Sequence, residues 1–236
     1  MRADARRNAD KLRAAAAELF REQGLHAPLK EIARRAGVSH GTLYNLFGTR
    51  EALIDEVAVD LAGDRLQEIA DRALAHEDPW AGFVFYMEQV CELQAVEPAV
   101  GDVMNGGFPG AARLMAVCAR TQDVAVQVIV RAQDAGSLRP DFTREDLLFL
   151  LGSNALLARA SRGTAPDVWR RGLALALDGL RTEAAHPLPV PALSVEQHRE
   201  VLGRLTGAFR AAGPTGGSAG AGGSAGAEAA GGSAGA

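Results

Sequence analysis

Apolar residues recur at intervals of three and four along most of the first 183 residues, which is the spacing of amphipathic helices. Leu12, Ala16, Leu19 and Phe20 form the first such stripe, and short segments containing glycine or proline separate it from the later ones. The chain shows no run in which apolar and polar residues alternate as they do in a half-buried strand. This pattern predicts an all-α fold.

One stretch, KEIARRAGVSHGTLYNLFGTREAL, contains two short helical patterns that are separated only by Gly37, Val38 and Ser39. Glycine permits a left-handed turn, and serine is a favourable N-cap for the helix that follows. Leu43 and Phe47 lie four residues apart, so both are expected to point into the core. The spacing predicts two short helices that cross at a steep angle, the second with a polar outer face.

The outer face of this second helix carries small, polar and aromatic residues. Gly41 and Thr42 allow another backbone to approach closely, the hydroxyls of Thr42 and Tyr44 suit phosphate oxygens, and His40 and Asn45 suit base edges. In a helix-turn-helix, this second helix enters the major groove of DNA. Glycine-bent helix pairs also occur in bundles that bind no DNA, so the spacing alone leaves both interpretations open.

Positive charge is concentrated in the N-terminal part of the chain. Residues 1–50 contain ten Lys or Arg and five Asp or Glu, whereas residues 51–236 contain fifteen basic and twenty-four acidic side chains. A basic head on an acidic body is typical of proteins whose head contacts nucleic acid, although a solvated helix face gives a similar count.

Three segments, LRAAAAELFREQG, EIARRAGVS and GTLYNLFGTREAL, together resemble the DNA-binding region of the tetracycline-repressor (TetR) family of bacterial regulators. The resemblance covers about residues 8–60. It implies a homodimer that binds a two-fold symmetric operator in double-stranded DNA. It also implies a C-terminal domain that takes a small-molecule effector, whose binding usually ends repression.

The family's contact positions, carried over residue by residue, give the predicted DNA-binding set: Lys30, Ser39, His40, Gly41, Thr42, Tyr44, Asn45, Leu46 and Arg50. Arg50 matches a position that usually holds a lysine touching the DNA backbone. Pro28–Leu29 replaces the usual Ser or Thr at the start of the second helix, so Lys30 is expected to take over that phosphate contact. Leu46 stands where histidine is common, and two roles stay open for it: contact with a thymine methyl or filling of the core.

The fourth helical pattern starts at Thr49 and joins the head to the body, so we expect it to transmit movement between ligand and DNA. In the body, aromatic and methionine residues form a stripe, and others lie around a Gly-Gly break. Such residues line either a plain core or a small-molecule pocket. The predicted pocket residues are Trp80, Phe83, Met87, Cys91, Met104, Phe108 and Met115. Cys91 and Cys118 have no basic neighbour in the first helical turn, so we interpret them as apolar fillers and not redox sensors.

The last two helical patterns of the body are apolar on nearly every side and rich in small residues, which predicts burial on several sides. The family pairs these helices across a two-fold axis, and the alternative is a helix pair at the centre of one chain. The predicted dimer contacts are Leu148, Leu151, Ala155, Leu173, Leu177 and Leu180.

The chain divides into four predicted parts. Residues 1–50 form the DNA-binding domain, and residues 51–183 form the ligand-binding and dimerisation domain. Residues 184–212 combine a proline-rich linker with one short helix capped by Ser194. Residues 213–236 repeat GGSAGA, have no apolar side chain that could build a core, and are expected to be disordered.

Other functional classes find little support in the sequence. It contains no nucleophile elbow, metal-ligand spacing, phosphate-binding loop or paired carboxylates in an order that would form a cleft, so we predict neither enzyme activity nor a cofactor. It also contains no apolar run long enough for a membrane span and no signal peptide, so a cytoplasmic protein is expected. The hypothesis is a ligand-responsive homodimeric repressor, and the alternatives are a ligand-independent DNA-binding factor or an activator.

Overall fold

The computed structural model describes the backbone of residues 2–105, 108 and 110–212, with the side chains of residues 2, 60–62, 104, 105, 202 and 205–212 excepted. Its helices are α1 Arg2–Gln23, α2 Leu29–Arg35, α3 His40–Phe47, α4 Arg50–Ala75, α5 Pro79–Val96, α6 Pro98–Asn105, α7 Ala112–Asp134, α8 Arg144–Ser161, α9 Val168–Leu180 and α10 Val195–Ala212, with a 3-10 turn at Thr182–Ala184. No strand is present in these ranges, and the predicted all-α fold is confirmed.

The head comprises α1, α2, α3 and the first half of α4. Its helices end where the sequence supplies left-handed glycines: φ is 84° at Gly24, 67° at Gly37 and 74° at Gly48. Ser39 and Thr49 cap the next helices with side-chain oxygens. The fully buried side chains of this core include Leu12, Leu19, Phe20, Ile32 and Leu43.

The body is a second apolar core formed by the end of α4 together with α5, α7, α8 and α9. Helix α4 belongs to both cores, because Leu53 and Ile54 are buried in the head while Leu66 and Ile69 are buried in the body. Its 26 residues span about 39 Å at 1.5 Å per residue. The predicted connection between head and body is therefore one continuous helix.

Two carboxylates add polar contacts between the head and the body. Asp102 of α6 accepts a hydrogen bond from the backbone N–H of Leu25, in the turn between α1 and α2, at 2.7 Å. Asp55 of α4 accepts one from the N–H of Leu114, in the first turn of α7, at 2.9 Å. Burial raises the pKa of Asp102, while the charges of His26 and Arg159 and the Leu25 N–H favour its ionised form.

The segment after α9 is fixed at its start by a buried arginine. Arg139 donates to both oxygens of Asp141, at 2.6 and 3.0 Å, and to the carbonyl of His186 at 2.8 Å. This contact holds the first part of the proline-rich segment against the loop between α7 and α8.

The predicted extra helix is present as α10. Ser194 caps it by accepting from the N–H of Gln197, and the Gln197 side chain accepts from the N–H of Ser194 in return. The helix lies against α8, where the ring of buried His198 packs edge-on against Phe149 with centroids 5.3 Å apart. The predicted disordered tail, 213–236, lies outside the described residues. Within the described ranges, every helix is too short or too polar to cross a lipid bilayer.

A substitution at Gly24 tests the contact between the head and Asp102 of the body. A Cβ at Gly24 would overlap the carboxylate of Asp102, whereas a Cβ at Gly37 would meet open space, although φ is positive at both residues. We expect Gly37→Ala to lower the free energy of unfolding by about 1 kcal/mol, the cost of the left-handed conformation. Gly24→Ala should lower it by roughly 3 kcal/mol, because the Asp102–Leu25 hydrogen bond is lost as well. Urea denaturation measures both values, and equal losses would show that the Asp102 contact contributes nothing.

Candidate functional site

The turn between α2 and α3 has the geometry that the sequence predicts. Val38 donates its N–H to the carbonyl of Ala33 at 3.0 Å and is partly buried against the head core. The Ser39 hydroxyl accepts from the N–H of Thr42 at 3.0 Å and lies 2.8 Å from the Thr42 hydroxyl. These contacts fix the first turn of α3, and they engage the two hydroxyls that were also predicted to face DNA.

Helix α3 presents a mixed face to solvent. Leu43 and Phe47 are buried beneath it, while His40, Tyr44 and Asn45 are exposed, Tyr44 to the extent of 46%. The His40 ring contacts the Tyr44 ring edge-on, with centroids 4.9 Å apart. This contact fixes the side chains of His40 and Tyr44 relative to each other, and Tyr44 remains exposed.

Gly41 is exposed on the same face. A Cβ at this position would meet only the Ser39 hydroxyl, at 3.8 Å, and φ at Gly41 is not positive. Nothing in the described part of the fold therefore requires glycine at position 41. A missing side chain here shapes the outer surface of the helix instead, where it lets another molecule approach the backbone.

Two residues of the predicted DNA-binding set make contacts inside the head. Leu46 is partly buried against the head core, which favours the core-filling role of its two predicted roles. Arg50 is half-buried, and its guanidinium donates to the carbonyls of Leu25 at 3.0 Å and Ala27 at 2.8 Å. This side chain satisfies backbone carbonyls in the turn between α1 and α2 and so braces the head from within, and its contact with the DNA backbone stays a prediction.

Ion pairs engage several other basic side chains of the head. Arg34 donates to Glu31, and Arg35 donates to both oxygens of Glu22, at 2.9 and 3.0 Å. The hydrogen bond from Arg35 lowers the pKa of Glu22, so this pair stays ionised. Lys30, by contrast, is exposed on α2, and its side chain has no ion-pair partner among the described residues.

A cavity in the body lies among α4, α5, α6, α7 and α8, with about 30 Å³ of free space, enough for about two water molecules. Its lining residues are Leu66, Tyr86, Val103, Val117, Cys118, Thr121, Gln122, Ala125, Arg144, Leu147, Leu148 and Leu151. None of the residues predicted to line a pocket is in this set.

Most of the residues predicted to line a pocket lie elsewhere in the described part of the structure. Four of them pack in the core of the body, which is the alternative to a pocket that the sequence left open: Trp80, Phe83, Met87 and Cys91. Phe108 is buried with the head core, and Met115 is exposed on α7. The side chain of Met104 lies outside the described residues. An aromatic and methionine stripe marks burial, and it carries no information about which buried side chains leave a void between them.

The cysteines match the interpretation as apolar fillers. Cys91 is fully buried and Cys118 half-buried. Burial raises the pKa of Cys91 to about 12 and that of Cys118 to about 11. Both thiols are therefore protonated near neutral pH, which makes them poor nucleophiles.

Comparisons with known proteins agree with this geometry. Residues 12–57 match the model for bacterial regulatory proteins of the tetR family, and residues 78–182 match the C-terminal domain of SbtR-like transcriptional regulators. The TetR transcriptional regulator SCO0520 of Streptomyces coelicolor is 30% identical over 73% of this chain and 98% of that one, with a TM-score of 0.43. The chain belongs to the TetR family.

Two further relatives extend the comparison of this TetR-family protein. The HTH-type transcriptional regulator YvdT of Bacillus subtilis (strain 168) is 36% identical over 72 residues, which cover 30% of this chain and 37% of YvdT. The regulator FadR of Bacillus subtilis, in complex with stearoyl-CoA, is 13% identical over 75% of this chain and 98% of FadR, with a TM-score of 0.56. The FadR similarity shows a shared fold. As a member of the TetR family, the protein is a DNA-binding transcriptional regulator and not an enzyme.

Most of the residues predicted to form dimer contacts lie inside the TetR-family body. Leu148, Leu151, Leu173 and Leu177 are buried within the chain, and Ala155 and Leu180 are half-buried. The apolar side chains that α8 and α9 expose are different ones: Leu156, Leu157 and Leu175, exposed to 38%, 39% and 63%. Both helices therefore carry apolar side chains on an inner and an outer face, and a dimer contact through them stays a prediction.

Lys30 provides a test of the interface. If it contacts a phosphate, Lys30→Ala will weaken binding to all DNA sequences alike and reduce the slope of log K against log salt by about 0.9 for each bound chain. Arg120→Ala is a matched control, because Arg120 is exposed on α7 of the body and carries the same charge. Fluorescence anisotropy at four salt concentrations gives the slopes. An unchanged slope for Lys30→Ala would remove Lys30 from the interface.

Proposed function

We propose that this TetR-family protein is a homodimeric, ligand-responsive repressor that binds a two-fold symmetric operator through α3. The observation that carries the proposal is the outer face of α3, where exposed His40, Tyr44 and Asn45 surround a glycine that the fold itself does not require. Helix-turn-helix proteins place such a face in the major groove.

The proposed roles on this face follow from the chemistry of each side chain. Tyr44 and Thr42 contact phosphates through their hydroxyls, and Lys30 adds a charged contact from α2. His40 and Asn45 approach base edges, where imidazole and amide groups form hydrogen bonds with bases. Ser39 acts through Thr42, since its hydroxyl caps α3 and holds the Thr42 hydroxyl.

The proposed dimer forms through the outer face of α8 and α9. Gly172 of α9 packs against Leu157 of α8, where a Cβ would lie 3.5 Å from Leu157 Cδ2, so the two helices are in close contact at this point. The outer apolar surface defined by Leu156, Leu157 and Leu175 is suited to a second copy of the chain, because exposed apolar patches mark contact surfaces. Two heads related by this axis would contact half-sites about 34 Å apart.

The cavity among α4–α8 is the proposed effector site. In the FadR complex, a protein of the same fold is bound to stearoyl-CoA. In this chain, Val103 lines the cavity and is next in sequence to Asp102, whose carboxylate holds the turn between α1 and α2. A ligand that displaces α6 would therefore shift the head, and a shift of a few ångströms would take the two recognition helices out of register with DNA.

The experiment that tests this function is anisotropy of the purified protein on its own upstream DNA, with scrambled DNA as competitor. We expect two chains per site, resistance to the competitor, and loss of sequence preference in His40→Ala and Tyr44→Ala. Weak binding that salt abolishes, with no preference for the upstream sequence, would contradict specific recognition of that DNA. A ligand-independent factor would differ in one respect: no small molecule would both raise its melting temperature and release the DNA.

The outer apolar surface gives a separate prediction for dimerisation. Leu175→Glu places a charge in the proposed interface, so we expect monomers at micromolar concentration and at least tenfold weaker operator binding. Val130→Glu is the matched control, because Val130 is an apolar residue exposed to 44% on α7, away from this surface. Light scattering after size exclusion gives the mass of each variant. A dimeric Leu175→Glu protein would show that another surface joins the two copies.

A further inference from the structure

Among its described side chains, helix α10 buries one against α8. His198, in the first turn of α10, is 6% exposed, whereas the other described side chains of α10 are exposed apart from half-buried Val201. The His198 ring packs edge-on against Phe149 of α8, with centroids 5.3 Å apart. The described part of α10 therefore docks through an aromatic contact centred on His198.

Phe149 lies on the outer face of α8. Successive residues of an α-helix are about 100° apart, so Leu151 and Ala158, which are buried in the body core, point roughly 160° and 180° away from Phe149. Leu156 follows Phe149 by seven residues, so it points within about 20° of Phe149 and lies about 10 Å further along the helix. Helix α10 thus covers the first half of an outer face whose second half exposes Leu156.

The contact between α10 and α8 contains an unsatisfied polar group. His198 Nε2 is buried and has no hydrogen-bond partner among the described residues. Burial lowers the pKa of His198, while the nearby charges of α8 act in opposite directions: Glu145 raises this pKa and Arg144 lowers it. The ring is therefore neutral near neutral pH. Its unpaired nitrogen reduces the gain from the edge-on contact with Phe149, so α10 is held weakly.

The proposed dimer surface needs more area than its exposed leucines provide. A standard interface buries about 800 Å² on each partner. The exposed fractions of Leu156, Leu157 and Leu175 amount to less than two complete leucine residues, which is far below this area. The next large apolar side chain on the outer face of α8 is Phe149, which α10 covers. An interface of standard size thus extends to the place that α10 occupies.

We infer that α10 and a second copy of the chain compete for the outer face of α8, so that dimerisation through this face requires α10 to leave Phe149. This role of α10 rests on the proposed function, because it assumes that the two copies meet through α8 and α9. Arg139 holds the carbonyl of His186, so the released helix stays tethered through residues 187–194. The second copy then buries Phe149 together with Leu156. Helix α10 thereby sets the concentration at which the protein dimerises.

Two substitutions in the full chain change the docking of α10 in opposite directions. His198→Phe keeps an aromatic ring against Phe149 and removes the unpaired nitrogen, so it should hold α10 more tightly and raise the dimer dissociation constant at least about fivefold. His198→Ala removes the ring that forms the contact, so it should release α10 and lower this constant at least about fivefold. Both effects count twice in each dimer, because both chains must move their α10.

Analytical ultracentrifugation with fluorescence detection, from nanomolar to micromolar protein, gives the dimer dissociation constant of each variant. Hydrogen–deuterium exchange of the α10 amides reports in parallel whether the helix is docked: it should be slower in His198→Phe and faster in His198→Ala. Arg199→Ala is the matched control, because Arg199 is the exposed neighbour of His198 on α10. It truncates a side chain outside the contact and should leave both measurements unchanged.

Competition is overturned if the two His198 variants shift the dissociation constant in the same direction, or if neither shifts it. Faster exchange of α10 in His198→Ala with an unchanged constant would also overturn it, since α10 would then leave α8 without affecting the dimer. Leu175→Glu separates this result from a failure of the proposed function. If Leu175→Glu is monomeric while both His198 variants dimerise like the unaltered chain, the dimer surface holds and only competition by α10 is wrong. If Leu175→Glu stays dimeric, both are wrong.

Discussion

The hydrogen bond between the Asp102 carboxylate and the Leu25 N–H links the body to the head at a buried turn, in addition to the continuous helix α4. It joins α6 to the turn between α1 and α2, and it lies in a buried place where a charged acceptor forms a strong hydrogen bond. Its geometry requires Gly24, since any side chain there would meet the carboxylate. Arg50 braces the same turn from the other side through the carbonyls of Leu25 and Ala27. A short turn is thus fixed by two charged groups that lie far apart in sequence.

This arrangement separates the residues that hold the head together from those left for DNA. Arg35 is paired with Glu22, and Arg50 binds backbone carbonyls, so these two positive charges stabilise the head itself. His40, Tyr44 and Lys30 remain on the surface. A net positive head is therefore a poor guide to its contacts, because part of that charge is used within the fold. The distinction matters for mutagenesis, since loss of Arg50 would also remove its hydrogen bonds to the head's own carbonyls.

Local signals in the sequence predict the head well. Gly37 and Ser39 act within one turn of their own positions, and a left-handed glycine or a serine cap needs no knowledge of distant residues. The body depends on long-range packing. Helix α8 is apolar on two sides, and only the three-dimensional structure shows that Leu148 and Leu151 face inward while Leu156 and Leu157 face outward. The cavity could not be predicted either, because its position depends on how side chains from five helices pack in three dimensions.

Hydrogen–deuterium exchange resolved to the Leu25 amide tests most directly whether Asp102 holds the turn between α1 and α2 to the body. In Asp102→Ala we predict exchange at Leu25 at least about tenfold faster than in the unaltered protein, the loss expected for a hydrogen bond to a charged group. Faster exchange should extend into α2 and α3, while Asp123→Ala, on the exposed face of α7, should change nothing. Unchanged exchange at Leu25 in Asp102→Ala would contradict the claim, because the head would then be held without this carboxylate.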